Sequence, residues 1–259
     1  MNAIEISNLS FGYDKKDLVL DDISFNIEEF STTAVLGKNG SGKSTLLKIL
    51  TGLEHHSSGN VLLKGKPISE YSILERSKQI AYVGQDIFNQ FDFSVEDYLL
   101  FGVTNSLSLI SAPKQRHKEK VYEYVSRFEI EHLLEKKMDK ISGGEKQIIM
   151  LCKAFIQGSD IVVLDEPLSA LDFENQNKIL NLLKNISNKG KTIIFSTHNP
   201  NNALFLDANT IMLSSKKIVF NGKARKDLTI EALNAVYGNI VGKSSEHPYD
   251  EFSVKSDEI

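Results

Sequence analysis

The stretch Gly37-Lys38-Asn39-Gly40-Ser41-Gly42-Lys43-Ser44-Thr45 decides the fold of this chain. The apolar run 33–36 before it is typical of a buried strand, and the apolar spacing of 46–50 after it is typical of a helix. A glycine-rich loop between a strand and a helix is the setting of a phosphate-binding P-loop. The glycines let backbone N–H groups turn inward around phosphate oxygens, at a helix N-terminus that favours an anion.

Two side chains of this loop carry further chemistry. Lys43 is predicted to reach the β- and γ-phosphates of a nucleotide, and the Ser44 hydroxyl is predicted to hold Mg²⁺. The alternative is a glycine-rich turn that matches the pattern GxxxxGK[ST] by chance. The order of strand, loop and helix favours the P-loop.

The composition narrows the class of protein. The 259 residues include 41% hydrophobic and 25% charged residues, which is ordinary for a globular protein with a sizeable core. A net charge of −4 without a strongly basic block disfavours nucleic acid as a partner. The single cysteine, Cys152, is predicted to be a core residue. The sequence has no apolar run long enough to span a membrane and no apolar signal segment, which indicates a cytosolic protein.

Two later segments also suit phosphate chemistry. Ser142-Gly143-Gly144-Glu145 opens a predicted helix and so offers a second anion site. Because the first loop already surrounds its own triphosphate, the second is predicted to serve the γ-phosphate held by another copy of the chain. The unbroken apolar run 161–164 is typical of a parallel strand and ends in two acids. If strand geometry continues, the acids point opposite ways, so that Asp165 orients the Mg²⁺ shell and Glu166 polarises a water.

Three isolated side chains leave alternatives open. Tyr13 is either a surface aromatic or a stacking partner for adenine. Gln85 is either an unremarkable glutamine or a ligand contact, since it follows a predicted strand at the kind of carboxyl end where α/β sheets bind ligands. His198 ends another predicted strand and is either a structural histidine or a sensor of the γ-phosphate at the edge that holds Glu166.

Aromatic residues crowd the segment before a predicted helix start at 94–97. Phe88, Phe91 and Phe93 either belong to the core or line a groove for a helix of a partner. The polar and acidic segment 244–259 has little to bury and is predicted to be a weakly ordered tail.

Taken together, these motifs resemble the nucleotide-binding subunit of an ABC transporter, from residue 4 to about residue 241. Seven motifs occur in the order that the family has. In that order they are the adenine-stacking aromatic at Tyr13, the Walker A loop at 37–45, the Q-loop at Gln85, the signature motif at 142–145, the Walker B strand at 161–166, the D-loop at 169–172 and the switch histidine at His198.

The resemblance implies an α/β P-loop NTPase of the ABC ATPase type, with an antiparallel β subdomain and a helical subdomain. The expected organisation is one nucleotide-binding domain at 1–243, with its helical part at about 86–157, followed by the tail 244–259. The expected cofactors are ATP and Mg²⁺. The implied roles are ATP binding by Tyr13, 37–45 and 142–145, catalysis by Glu166, His198, Lys43 and Gln85, and Mg²⁺ binding by Ser44, Gln85 and Asp165.

The implied partners are a second copy of the chain, integral membrane permease subunits and a substrate-binding protein, at the cytoplasmic face of the membrane. Residues 91–102, 228–230 and 235–238 look like those of importers of iron-siderophores, haem and cobalamin. An importer or exporter with another cargo remains an alternative, as does an ABC-type switch for assembly or regulation without transport.

Some positions depart from the commonest family pattern, and none of these departures removes a catalytic group. Lys38 and Gly84 stand where proline is frequent, Ile141 stands where leucine is frequent, and Ile148 replaces a frequent arginine after the signature.

Overall fold

The computed structural model describes residues 1–14, 17–84, 93–106, 113–238, 241–243 and 252–254. Its strands are β1 (Asn2–Phe11), β2 (Leu20–Glu28), β3 (Thr32–Leu36), β4 (Ser58–Leu63), β5 (Lys66–Pro67), β6 (Ile80–Val83), β7 (Ile161–Leu164), β8 (Thr192–Thr197), β9 (Asn209–Ser214), β10 (Lys217–Lys223), β11 (Val241–Lys243) and β12 (Phe252–Val254). Its α-helices are α1 (Lys43–Leu50), α2 (Ile73–Gln79), α3 (Val95–Leu100), α4 (Gln115–Phe128), α5 (Gly143–Gln157), α6 (Phe173–Ser187), α7 (Pro200–Phe205), α8 (Ala224–Asp227) and α9 (Ile230–Tyr237).

A mainly parallel sheet with the order β10-β9-β3-β8-β7-β6 forms the centre of the fold. The strands from β9 to β6 pair in parallel, and β10 pairs antiparallel with β9. Alternate residues enter different cores, since Val162 packs in one apolar cluster and Val163 in another. Both faces are therefore covered, as the apolar runs predict. The carboxyl ends of β3, β7 and β8 meet at one edge, which brings the predicted site residues together.

A second sheet, with the order β2-β1-β4-β5, is antiparallel. Ile23, Phe25 and Ile27 of β2 are buried, whereas the residues between them are exposed, so the predicted alternation is confirmed. This sheet shares a core with α1 and with one face of the central sheet. Buried Leu47 of α1 belongs to that core, and the core therefore holds the helix that begins at the phosphate loop.

Helix α5 packs beside β6 of the central sheet, and α3 and α4 pack on α5. Val95, Val125 and Phe155 are buried in the core that also contains Phe195 of β8. Cys152 of α5 lies in the same core, as predicted, and burial raises the pKa of its thiol. The predicted helix start is also confirmed, since the Ser94 hydroxyl accepts a hydrogen bond from the backbone N–H of Asp97 at 3.1 Å.

The aromatic segment before α3 is only partly within the described ranges. Phe88 and Phe91 lie outside them, as does Gln85. Phe93 is 38% exposed and makes an edge-to-face contact with Phe101, which is 44% exposed, at a centroid distance of 5.2 Å. These two rings lie at the surface.

The C-terminal part of the described chain packs against β3 and β9 of the central sheet. Helix α9 packs through Leu233 and Val236 on a cluster that includes Leu36 of β3 and Met212 of β9. Within the predicted tail, β12 pairs with β11, so backbone hydrogen bonding gives residues 252–254 regular structure. The other tail residues lie outside the described ranges. Among the helices that the structure describes, none has the length and apolarity needed to cross a bilayer.

Candidate functional site

The phosphate loop follows β3 and needs glycine at two positions. Gly42 caps α1 with a left-handed φ of 98°, and a Cβ there would lie 3.0 Å from a methyl carbon of Leu20. A Cβ on Gly37 would lie only 2.7 Å from the carbonyl oxygen of Leu213. Side chains at these positions would push the loop out of place, and their absence leaves a cradle of backbone N–H groups.

Lys43 is the first residue of α1, and its ammonium group is almost completely buried. The Nζ atom donates to the carbonyl oxygens of Gly37 at 2.9 Å and Lys38 at 3.2 Å. It also lies 3.2 Å from Oε1 of Glu166, and the two side chains are 6% and 8% exposed. The structure therefore brings the predicted phosphate-binding cation into direct contact with the acid that is predicted to polarise a water.

The two acids after β7 have different partners. Asp165 accepts a hydrogen bond at 2.6 Å from the hydroxyl of Ser196 on β8, and the same hydroxyl oxygen accepts one at 2.8 Å from the backbone N–H of Glu166. The assumption that strand geometry continues is wrong, because β7 ends at Leu164 and Glu166 has a left-handed φ of 48°. The turn at Glu166 separates the two carboxylates. The Ser196 hydroxyl on the adjacent strand stabilises this turn through its two hydrogen bonds.

His198 lies directly beyond β8 and contacts the other oxygen of Glu166. The distance from Nδ1 of His198 to Oε2 of Glu166 is 3.1 Å, and the imidazole is largely exposed. One carboxylate thus contacts both a lysine from the phosphate loop and a histidine from the next strand. The histidine and the carboxylate border a cleft of 350 Å³, which is lined by Asn39, Gln147, Asp165, Glu166, Ser169, Ala170 and His198.

Tyr13 lies beside the start of α1. Its hydroxyl is 3.2 Å from the Thr45 hydroxyl, and its ring meets that of Phe11 edge to face at 4.9 Å. The residue is 62% exposed, so a ring face remains available beside the phosphate loop. This position suits a stacking partner for a nucleobase.

The signature residues form the start of α5. The Ser142 hydroxyl accepts from the backbone N–H of Glu145 at 3.2 Å, and the Glu145 carboxylate accepts from the Ser142 N–H at 2.7 Å. This capping box, through the hydrogen bond from the Ser142 backbone first and that of its hydroxyl second, lowers the pKa of Glu145. The cap fixes the direction in which the first N–H groups of α5 point.

These signature residues line a cleft of 480 Å³ that differs from the one at Glu166. Ala170 borders both clefts. A Cβ on Gly144 would lie 3.3 Å from the carbonyl oxygen of Ala170. None of residues 37–45 lines the signature cleft, while Asn39 lines the other. The described part of one chain therefore presents the two predicted anion sites in separate clefts.

Two polar residues of the site are missing from the sequence-based prediction. Ser196 connects the two acids, and Gln147 is a buried polar residue of α5 that lines the cleft at Glu166. The signal that could have identified Ser196 is a hydroxyl residue directly after the apolar run 193–195. Gln147 has no comparable signal, because its contact with the cleft depends on how α5 packs.

The loop and the acids fit a nucleotide with Mg²⁺. The Ser41 hydroxyl is buried in the loop without a hydrogen-bond partner among the described residues, so it can interact with a phosphate oxygen. The described ranges contain no cluster of three or more histidine, cysteine, aspartate or glutamate residues that could form a protein-only metal cage. The Ser44 hydroxyl and the Asp165 carboxylate are oxygen ligands of the kind that suit Mg²⁺, which is commonly bound by one or two protein oxygens together with phosphates and water.

Comparisons with known proteins agree with this geometry. The sequence model of the ABC transporter family matches residues 20–169. An "Uncharacterized ABC transporter ATP-binding protein" of Haemophilus influenzae is 36% identical, with 90% of this chain and 89% of that protein covered. A Helicobacter pylori protein named "Probable iron chelatin transport ATP-binding protein" is 34% identical, with 91% and 92% covered.

A solved structure extends the similarity to the whole fold. A transporter in an inward-facing conformation, assigned to the metal-chelate type of ABC transporter, matches with a TM-score of 0.84 and 28% identity. The match covers 98% of this chain and 98% of that one.

Proposed function

We propose that this chain drives the import of a metal chelate. The premise is that the chain belongs to the ABC transporter family and is one of its ATP-hydrolysing subunits. The observation that supports this class of cargo is the structural match to a transporter described as being of the metal-chelate type, which covers 98% of both chains. The relative named for iron chelatin transport supports the same class. An iron-siderophore, haem or cobalamin-type molecule is the proposed substrate.

The residues of the cleft have different roles in ATP hydrolysis. The loop N–H groups and Lys43 bind the phosphates, and Glu166 accepts the proton of the attacking water. His198 lies against Glu166 and can hold its carboxylate in place while facing the γ-phosphate. The proposed Mg²⁺ ligands are Ser44 and Asp165, together with Gln85, which lies outside the described ranges. A Mg²⁺ ion held by these residues would supply positive charge that offsets the negative charge of the nucleotide phosphates.

A second copy of the chain completes each site in this proposal. The signature residues lie in a different cleft from the phosphate loop, so a partner is needed to bring Ser142 to a γ-phosphate. A two-fold arrangement satisfies both copies at once, since each chain gives its signature to the other. The proposed organisation of the chain is a nucleotide-binding domain at 1–243 whose helical part, at about 86–157, carries that signature.

The remaining proposed partners are permease subunits in the membrane and a substrate-binding protein. The chain would then lie at the cytoplasmic face as a peripheral subunit. Phe93 and Phe101 are exposed aromatic residues of the helical region, and they offer an apolar surface for a permease helix. Phe88 and Phe91 are proposed to extend this surface.

The cargo can be tested by transport. The chain is co-purified with the membrane proteins that bind it, and the complex is reconstituted in vesicles with ATP. We expect ATP-dependent uptake of a ferric chelate, haem or cobalamin, with molybdate as the comparison cargo. Uptake of molybdate alone would refute the cargo class. Capture of no membrane protein would favour the alternative of an ABC-type switch.

Phe93→Ser is expected to uncouple transport from hydrolysis. A polar side chain removes part of the apolar contact with the permease, whereas the phosphate loop and Glu166 stay unchanged. Uptake should fall several-fold while the ATPase rate of the isolated chain stays close to that of the parent. Phe30→Ser is the matched control, since Phe30 is 67% exposed and lies two residues before β3, at the amino-terminal end of that strand.

Crosslinking provides an independent measurement of the same contact. A Phe93→Cys variant can be labelled selectively, because the single natural cysteine is buried. Formation of a crosslink to a permease subunit is the expected result. Normal uptake by Phe93→Ser together with no crosslink from Phe93→Cys would contradict the docking site.

A further inference from the structure

Tyr237 is the last residue of α9, and its buried hydroxyl group makes no well-formed hydrogen bond with the described residues. Its ring packs against the cluster that contains Leu36 and Met212. Leu36 directly precedes Gly37, the first glycine of the phosphate loop. A helix from the C-terminal part of the chain therefore ends, with a polar group, against the base of the ATP site.

The surroundings of this hydroxyl indicate where it points. Burial raises the pKa of Tyr237 to about 12, the N–H of Gly37 opposes the rise, and the negative charge of Glu166 adds to it. The group therefore stays protonated at ordinary pH and faces the backbone of Gly37 without a well-formed hydrogen bond. The carbonyl of the same glycine accepts from Nζ of Lys43 at 2.9 Å.

A buried hydroxyl without a well-formed hydrogen bond is unfavourable, and phenylalanine would fill the same space without it. A tyrosine with a packing role alone would gain nothing from the hydroxyl. A tyrosine that hydrogen-bonds the loop during the ATPase cycle would need it. The position beside Gly37 favours the second role, because Gly37 connects β3 to the lysine that binds phosphate.

We propose that Tyr237 is a positioning residue for ATP hydrolysis, whose hydroxyl fixes the Gly37 end of the phosphate loop and, through Gly37, the Lys43 ammonium. The residue touches no reacting atom, and its effect passes through the backbone of one glycine. The inference rests on ATP hydrolysis at this site and is independent of the cargo.

Tyr237→Phe tests the hydroxyl while the ring stays in place. We expect the apparent Kd for ATP with Mg²⁺ to rise by about 2- to 12-fold, the range of one net hydrogen bond, and kcat/KM to fall by a similar factor. The Tm without nucleotide should stay equal to that of the parent or rise. The increase in Tm that ATP produces should become smaller, because ligand stabilisation follows affinity.

Tyr71→Phe is the matched control. The Tyr71 hydroxyl donates to the carbonyl oxygen of Leu63 at 2.9 Å in the antiparallel sheet, away from the ATP cleft. Its removal should lower the Tm and leave kcat/KM unchanged, which is the reverse of the pattern expected for Tyr237→Phe. All rates are normalised to the folded fraction measured by circular dichroism.

The proposal is wrong if Tyr237→Phe binds and hydrolyses ATP as the parent does, whatever happens to its Tm. It is also wrong if the loss of activity disappears on normalisation to the folded fraction. Parent chain and Lys43→Ala are measured in the same assay. A parent chain that fails to bind ATP would overturn the ATPase assignment itself, and this outcome is distinct from a failure of Tyr237→Phe alone.

Discussion

Glu166→Gln is expected to lower the rate of ATP hydrolysis by about 10²- to 10⁴-fold while ATP binding survives. Glutamine has nearly the same size, and its carbonyl oxygen can still accept from Nζ of Lys43, which lies 3.2 Å from the carboxylate. The amide cannot take a proton from water. The loop N–H groups, Lys43 and Ser44 remain in place, so the measurement should show a fall in kcat with little change in the Kd for ATP.

The same variant should accumulate a dimer with intact ATP. Each signature would lie on the other copy's γ-phosphate, in a self-complementary two-fold interface. Light scattering with ATP and Mg²⁺ measures the mass directly. Adding Ser142→Arg should break this dimer, because the larger side chain clashes at the opposing site.

Glu123→Gln is the control for the loss of one carboxylate. Glu123 is an exposed residue of α4 that pairs with Arg127, and this change should leave kcat unchanged. Hydrolysis by Glu166→Gln at the parent rate would refute the role of Glu166 as the base. A Glu166→Gln chain that stays monomeric at high concentration would instead count against dimerisation without the permease.

Lys43→Ala is expected to raise the Kd for ATP by about two orders of magnitude or more. The ammonium makes charge-assisted contacts to phosphate that contribute about 1.5–3 kcal/mol each, and two such contacts are lost. Isothermal titration calorimetry measures the change. Lys48→Ala, at the far end of the same helix, is the control and should bind ATP normally.

Lys43→Ala also has a predicted effect on stability. It leaves the nearly buried Glu166 carboxylate without its cation, and loss of one partner of a buried pair commonly costs about 3–5 kcal/mol. The double variant Lys43→Ala/Glu166→Gln removes the stranded charge. We expect it to regain stability in urea unfolding without regaining ATP affinity. If Lys43→Ala binds and hydrolyses ATP nearly as the parent does, the assignment of the phosphate loop is wrong.

Local patterns predict those parts of the fold that depend on neighbours in sequence. The strand, loop and helix around Gly37 and the helix start at Ser142 follow from glycine, capping and apolar spacing, and all are confirmed. The family resemblance and the ABC ATPase fold are confirmed as well. The roles of the individual site residues remain predictions.

Contacts between distant segments could not be predicted in this way. The turn at Glu166 depends on the hydroxyl of Ser196, which is thirty residues away, and strand periodicity contains no information about that hydrogen bond. The position of Tyr237 beside Gly37 depends on how α9 packs on the sheet. Both features are side-chain contacts across the tertiary structure, and a pattern within one segment cannot report them.

The order of the central sheet has a consequence for biosynthesis. Leu36 of β3 pairs with Thr197 of β8, and Leu164 of β7 pairs with Phe195 of the same strand, so β8 separates the phosphate loop from the acids in the sheet. Such non-local pairing is slow to form and cannot begin before β8 has left the ribosome. A nascent chain that has exposed only its first 190 residues therefore has the phosphate loop but no complete ATP site. ATP can consequently stabilise only a chain in which β8 has paired with both neighbouring strands.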